Sequence, residues 1–108
     1  MVPTHCKLKD VFASIEKPWA PVLVGEVNAT QIKCFKAEGE FHWHKHDHED
    51  ELFYIHAGEL IMQLREENTT LQAGEFFIVP QGIEHCPLAP QSAEVVLVEP
   101  ANTMREGD

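Results

Sequence analysis

The chain has 108 residues, 44% of them apolar, with 18 acids against 8 bases and a formal net charge of −10. Such a length holds one domain (residues 1–108) around one core, and the apolar content excludes a disordered chain. The negative balance argues against nucleic acid and anionic membranes as partners. Both are gripped through basic patches, and the only local basic run is the weak pair Lys7 and Lys9.

Residues 8–16 read as one short helix or turn. Residues 22–27 are β-branched and apolar and stop at Asn28, a turn residue. Residues 31–36 alternate polar and apolar, 37–40 break the pattern, and 41–46 alternate again before the polar loop 47–50. A strand resumes over 51–57, Gly58 turns the chain, and 60–64 follows. Residues 65–68 form a polar hairpin connection, and 69–71 lead into a turn at Ala73-Gly74. Residues 76–79 form a short apolar strand stopped by Pro80-Gln81-Gly82, and 93–98 are the last strong strand, ended by Pro100. At least seven strand signals at the spacing of sandwiches and barrels predict an all-β fold, with its edges removed by closure. Phe53, Ile55, Leu60, Met62, Phe77 and Val79 are its core candidates.

Cysteines are three, Cys6, Cys34 and Cys86, with no CxxC pair, which argues against a disulfide framework and for a reducing compartment. Residues 1–17 hold no signal-like apolar stretch, and no apolar run is long enough to span a bilayer. The expectation is a soluble cytoplasmic protein.

The chemistry concentrates in Phe41-His42-Trp43-His44-Lys45-His46-Asp47-His48. On a strand, i and i+2 share a face about 6.6 Å apart, so two imidazoles can converge on one ion while Trp43 and Lys45 point away. Glu51, five residues beyond His46, opens the next strand and can add a carboxylate. His85 follows Pro80-Gln81-Gly82 closely, as though a tight turn delivered it inward.

These residues resemble the two motifs of the cupin family. The first runs from Gly39 through His44, His46 and Glu51 to Gly58, and the second from Gly74 through Pro80-Gln81-Gly82 to His85 and Ala89. Four residues separate Gly39 from His44 where five is usual, and Ala89 stands where the family has Asn, which is not a metal ligand. Trp43-His44-Lys45-His46, then Asp50-Glu51-Leu52-Phe53-Tyr54, is similar to small single-barrel cupins, often loosely labelled mannose-6-phosphate-isomerase-like; that label records fold and not activity.

The resemblance implies a double-stranded β-helix, the cupin jelly-roll barrel, with metal-site motifs at 39–58 and 74–89. It implies one divalent ion per chain (Fe, Mn, Ni, Cu or Zn) on His44, His46, Glu51 and His85, with positions left open for water or substrate. It also implies a homodimer, and the apolar second face that includes Leu52 and Tyr54 is consistent with one. His42 shares the parity of His44 and His46 and is the one nearby candidate for a catalytic group. An ordinary hydrogen-bonded rim histidine is the plainer reading of it. His48 reads as a solvated loop residue, His56 as facing away from the metal, and Cys34 and Cys86 as buried, inert thiols; His5 carries no signal. Two functions compete. One is a metalloenzyme acting on a small oxygen-rich molecule (a sugar derivative, keto acid or enol) by isomerase, lyase or dioxygenase chemistry. The other is a module that binds or senses a small-molecule ligand without turnover.

Overall fold

Strands that alternate in sequence need partners on both edges, and here the longest strand supplies them. A computed structural model describes residues 3–108. One helix, α1 (Leu8–Ser14), precedes β1 (Val22–Val27), β2 (Thr30–Glu40), β3 (Glu51–Leu64), β4 (Asn68–Gln72), β5 (Phe76–Val79) and β6 (His85–Pro100). The strands run antiparallel in the order β1-β2-β6-β3-β4, and β5 pairs with β3. β6 lies between β2 and β3 along nearly its whole length, with Lys33 opposite Leu97 on one side and Phe53 opposite Leu97 on the other.

Alternation then sorts the side chains into two cores. Phe35 and Ala37 of β2, Phe53, Ile55, Leu60 and Met62 of β3, Val79 of β5, and Ala93, Val95 and Leu97 of β6 fill the interior. The opposite face of the same strands carries Cys34 and Val96, which are capped by Phe12 and Ile15 at α1 with Tyr54 alongside. Phe12 is 1% exposed, and burying a ring of that kind contributes about 1.5–3 kcal/mol, enough to hold a helix of seven residues that is too short to stand alone.

The strand boundaries differ from the sequence expectation in four places. Residues 37–40 do not end β2, because a register shift between Ala37 and Gly39 absorbs the irregularity and pairing continues to Glu40. Residues 51–57 and 60–64 are one strand, bent by register shifts around Gly58. The expected strand 93–98 is the later part of β6, which begins at His85. Residues 41–46 are not a ladder strand; they meet the chain at 82–87 at only three points. Pro87 has no N–H to return the bond that its carbonyl accepts from Phe41 (3.0 Å), so a regular ladder cannot propagate there.

Candidate metal centre

Those three points nonetheless place the histidines. The His44 N–H donates to the His85 carbonyl (3.0 Å), and the His85 N–H donates back to the His44 carbonyl (2.9 Å), so the two residues face each other directly. Further along, the Gly82 N–H donates to the His46 carbonyl (2.7 Å). Gly82 has φ +81°, a left-handed turn conformation that glycine adopts without penalty, and this turn carries the chain from β5 to His85. Glu51 is fixed as the first residue of β3 by its pairing with Val79.

The result is a cluster of His44, His46, Glu51 and His85 whose ligating atoms all lie within 4.8 Å of one another. Glu51 Oε1 is 3.1 Å from His46 Nε2 and 3.3 Å from His85 Nε2. These short approaches do not satisfy the groups as hydrogen bonds: His46 Nδ1 and Nε2, Glu51 Oε1 and His85 Nε2 are buried without a hydrogen-bond partner. Leaving such atoms unpaired costs about 1–3 kcal/mol each, more for charged ones. A cation at their shared focus would satisfy the Nε2 atoms and Oε1 together. Atoms bound to one ion at about 2.1 Å stand at most about 4.2 Å apart, so the observed set fits with small adjustments.

Two rings are also held in the tautomer that ligation requires. His44 Nδ1 donates to the His42 carbonyl (2.9 Å) and His85 Nδ1 donates to the Ile83 carbonyl (2.9 Å), leaving each Nε2 lone pair free. His46 also shares a second cluster with the carboxylates of Glu49 and Asp108.

Charge follows from burial and contact. Burial lowers the His44 pKa to about 4, and the neighbouring His85 and His46 push the same way against the His42 carbonyl. Burial also pushes His46 down, but Glu51 in front of it outweighs burial and the net shift is upward. For Glu51, burial opposes ionisation, yet His46, His85 and Glu99 hold its carboxyl well below the usual carboxylate range. Glu99, only 3% exposed, is pushed up to about 8 by burial and by Glu51, against the pull of Lys33.

A cavity of about 460 Å³, including its open mouth, adjoins the cluster, and His44 and Glu51 form part of its wall. The rest is largely aromatic and aliphatic, with Lys33, Glu99 and Arg105 as its other charged groups. Glu99, Lys33 and Arg105 were not expected from the sequence. Glu99 carried a signal: it continues the inward parity of Val95 and Leu97 by one more step.

The structure does not bring His42 into the cluster. Its ring is exposed, stacks on Phe41 (4.0 Å between centroids) and donates from Nε2 to the Glu106 carbonyl (3.1 Å). Trp43 points away as expected and receives the Arg65 guanidinium over its ring at 3.8 Å. His48 is exposed. His56 lies on the outer face, stacked on Phe12 (5.2 Å) with Nδ1 2.9 Å from Glu94. Cys34 and Cys86 are buried free thiols and Cys6 is exposed.

The profile of the cupin domain family (Cupin_2) matches residues 32–99, a stretch that contains all four cluster residues. The uncharacterized protein YdbB of Bacillus subtilis is 31% identical over 72 residues, covering 66% of this chain and 64% of that protein, a little under two thirds of its length. A cupin-2 domain containing protein of Shewanella frigidimarina superposes with a TM-score of 0.86 at 39% identity, over 88% of this chain and 93% of its own. Protein NMB1881 of Neisseria meningitidis superposes at 0.82 with 24% identity, over 90% and 99%, a likeness of fold alone.

Proposed function

The chain belongs to the cupin family, and from that premise we propose that it is a metalloenzyme holding one divalent transition-metal ion on His44, His46, Glu51 and His85. Its substrate is a small oxygen-rich molecule, a sugar derivative, keto acid or enol, taken up in the adjoining cavity for isomerase, lyase or dioxygenase chemistry. One observation carries this reading: buried Nε2 and carboxylate atoms, left without hydrogen bonds, converge beside an open, aromatic-walled cavity. Three nitrogens and one oxygen suit Fe(II), Mn(II), Ni(II), Cu(II) or Zn(II). When bound, the ion supplies a Lewis acid for substrate oxygens. The chain contributes the rest. The His42 and Ile83 carbonyls fix the two ring tautomers, Glu51 supplies a negative charge, and Phe35, Phe41 and Phe53 keep the cavity wall apolar.

Reducing surroundings and a homodimer belong to the same proposal. The three free thiols support the first. Exposed Phe76 and Ile78, cross-strand neighbours of Tyr54 and Leu52, support the second. Among the described residues no helix is long and apolar enough to cross a membrane.

The deciding experiment is element-resolved metal analysis of protein purified without an affinity tag, followed by turnover screens after Fe(II), Mn(II), Ni(II) or Zn(II) reconstitution. Stoichiometric metal, lost in folded His85→Ala together with turnover, supports the reading. Full metal content with ligand-induced stabilisation and no turnover replaces the enzyme with a binding module. Undiminished metal in His85→Ala overturns the site.

A further inference from the structure

The cavity has a charge pattern at odds with the rest of the molecule. In a chain of net charge −10 with eight Lys and Arg residues, Lys33 and Arg105 both line this one cavity. Lys33 is not a solvated surface lysine. Its side chain is 19% exposed, and its ammonium reaches Glu99 Oε2 at 2.7 Å. β2 and β6 impose this arrangement: Lys33 pairs with Leu97, and Glu99 lies two residues further along the same face. Burying a lysine in that way has a desolvation cost that a single carboxylate offsets only in part.

Lys33 is ion-paired with Glu99 and Arg105 with Glu106, so Glu51 is the carboxylate of this group without a fixed cationic partner. A divalent cation held by the four cluster residues therefore leaves one positive charge uncompensated inside a partly enclosed, apolar-walled space. A neutral ligand would leave it so, whereas an anionic one balances it where the field is least screened.

A second feature shapes the same space. Trp19 has φ +59°, a conformation that costs a bulky residue about 1–2 kcal/mol. Three hydrogen bonds hold it there. Its N–H donates to the Lys36 carbonyl (2.8 Å), its indole Nε1 to the Glu38 carbonyl (3.0 Å), and its own carbonyl accepts from the Arg105 guanidinium (2.6 Å). The indole consequently lies against Phe41 (4.9 Å between centroids) and Phe35 (5.8 Å), forming a continuous aromatic wall. Strain maintained by surrounding structure at a cavity wall is a mark of a binding surface.

Resting on the metal reading above, we propose that the ligand of this cavity is a small carboxylate, its anionic group directed to Lys33 and its carbon skeleton lying on the Trp19–Phe41 wall. Lys33 and Trp19 are thus specificity-determining residues. Arg105, half exposed at the cavity rim, adds to the attraction of the anion.

The test compares gluconate with sorbitol, which differ by a carboxylate in place of a hydroxymethyl group. Zn(II)-loaded protein is titrated calorimetrically, and bound zinc is measured for every variant. The expected result is at least tenfold tighter binding of gluconate than of sorbitol. Lys33→Met removes most of that preference with zinc content unchanged, and Lys33→Arg keeps it. If Lys33→Met strands Glu99 and fails to fold, Lys33→Met/Glu99→Gln keeps the pair neutral and gives the same readout. Trp19→Gly, which tolerates the backbone conformation, weakens binding of both probes. Equal binding of the two probes by zinc-loaded wild type, or a preference that survives in Lys33→Met, overturns the inference and leaves the metal reading standing. Failure of the wild type to hold zinc, iron, manganese or nickel removes the metal reading and this inference with it.

Discussion

Gly58 separates what the motif residues do for folding from what they do for the site. It stands on β3 opposite Ala93 of β6, at φ +82°, and a Cβ built there would lie 2.2 Å from the Ser92 carbonyl oxygen and 2.9 Å from Ala93 Cα. Both obstacles are backbone, so no side-chain rotation relieves them. Gly58→Ala therefore incurs the left-handed penalty of about 1–2 kcal/mol and an overpacking cost of about 1–3 kcal/mol. A gain of about 0.4–1 kcal/mol through the less flexible unfolded chain returns part of this. The net loss is about 1–4.5 kcal/mol, centred on about 3 kcal/mol, and at about 4–8 °C per kcal/mol for a domain near this size, the central value lowers Tm by about 12–24 °C. Gly74→Ala is the control. It has φ +89° but nothing within 4 Å of the new methyl group, so only the conformational penalty applies and the net loss stays near 1 kcal/mol. Thermal unfolding by circular dichroism, with metal content measured per folded chain, reads both effects. Equal Tm losses in the two variants would refute the steric reasoning. Metal lost in folded Gly58→Ala would show that the residue serves the centre as well as the sheet.

The metal-free protein should lose stability through His44 as pH falls. Its folded pKa is lowered from 6.5 to about 4, so between those values the unfolded chain takes up a proton that the folded chain refuses. That interval is worth about 3 kcal/mol for a fully buried ring and about 1–2 kcal/mol after discounting for solvent. Between pH 7 and 4, folded His44→Gln should gain on wild type by roughly that amount in Tm measurements; parallel curves would contradict the shift. Metal retention should fall steeply below about pH 6, because imidazole ligates only when neutral, and unchanged loading at pH 4.5 would contradict histidine ligation. In native protein a thiol reagent should modify exposed Cys6 alone, since burial and Cys6 push Cys34 up to about 11 and burial raises Cys86; three thiols should react in denaturant, and rapid native labelling of Cys86 would exclude its place in the sheet.

Period-two reading made most of the fold legible because closed antiparallel sheets sort residues by parity. Phe76–Val79 and Val22–Val27 have the bounds their composition predicts. The misjudged places are those where pairing overrides local pattern. Gly58 reads as a turn, but its missing Cβ lets β3 cross close to Ser92 and continue. Residues 41–46 alternate like a strand, yet Pro87 opposite them cannot sustain a ladder, and the alternation survives only as a shared direction for His44 and His46. His85 could be placed near the other ligands only through the family motif, since no local signal specifies the mutual backbone pair that joins it to His44.

The rest of the site was hidden for a different reason. Lys33 and Glu99 are charged residues near strand ends, and a charge there ordinarily marks the exit to solvent. Parity says otherwise: Val95, Leu97 and Glu99 point the same way, as do Lys33, Phe35 and Ala37, and the register of β2 with β6 makes the two charged ends meet at 2.7 Å. Leu52 opposite Val98 likewise sets Glu51 beside Glu99, so two buried carboxyl groups adjoin where either alone would be costly. That Lys33 and the three histidines surround these two carboxyls, while His46 Nε2, His85 Nε2 and Glu51 Oε1 stay buried and unbonded, is a local violation of the packing rules obeyed elsewhere in the barrel. A sheet this regular has no structural use for such an arrangement, since apolar residues at the same positions would extend the core formed by Phe53, Val79 and Leu97. The conflict between local stability and residue choice is therefore itself the mark of the binding centre.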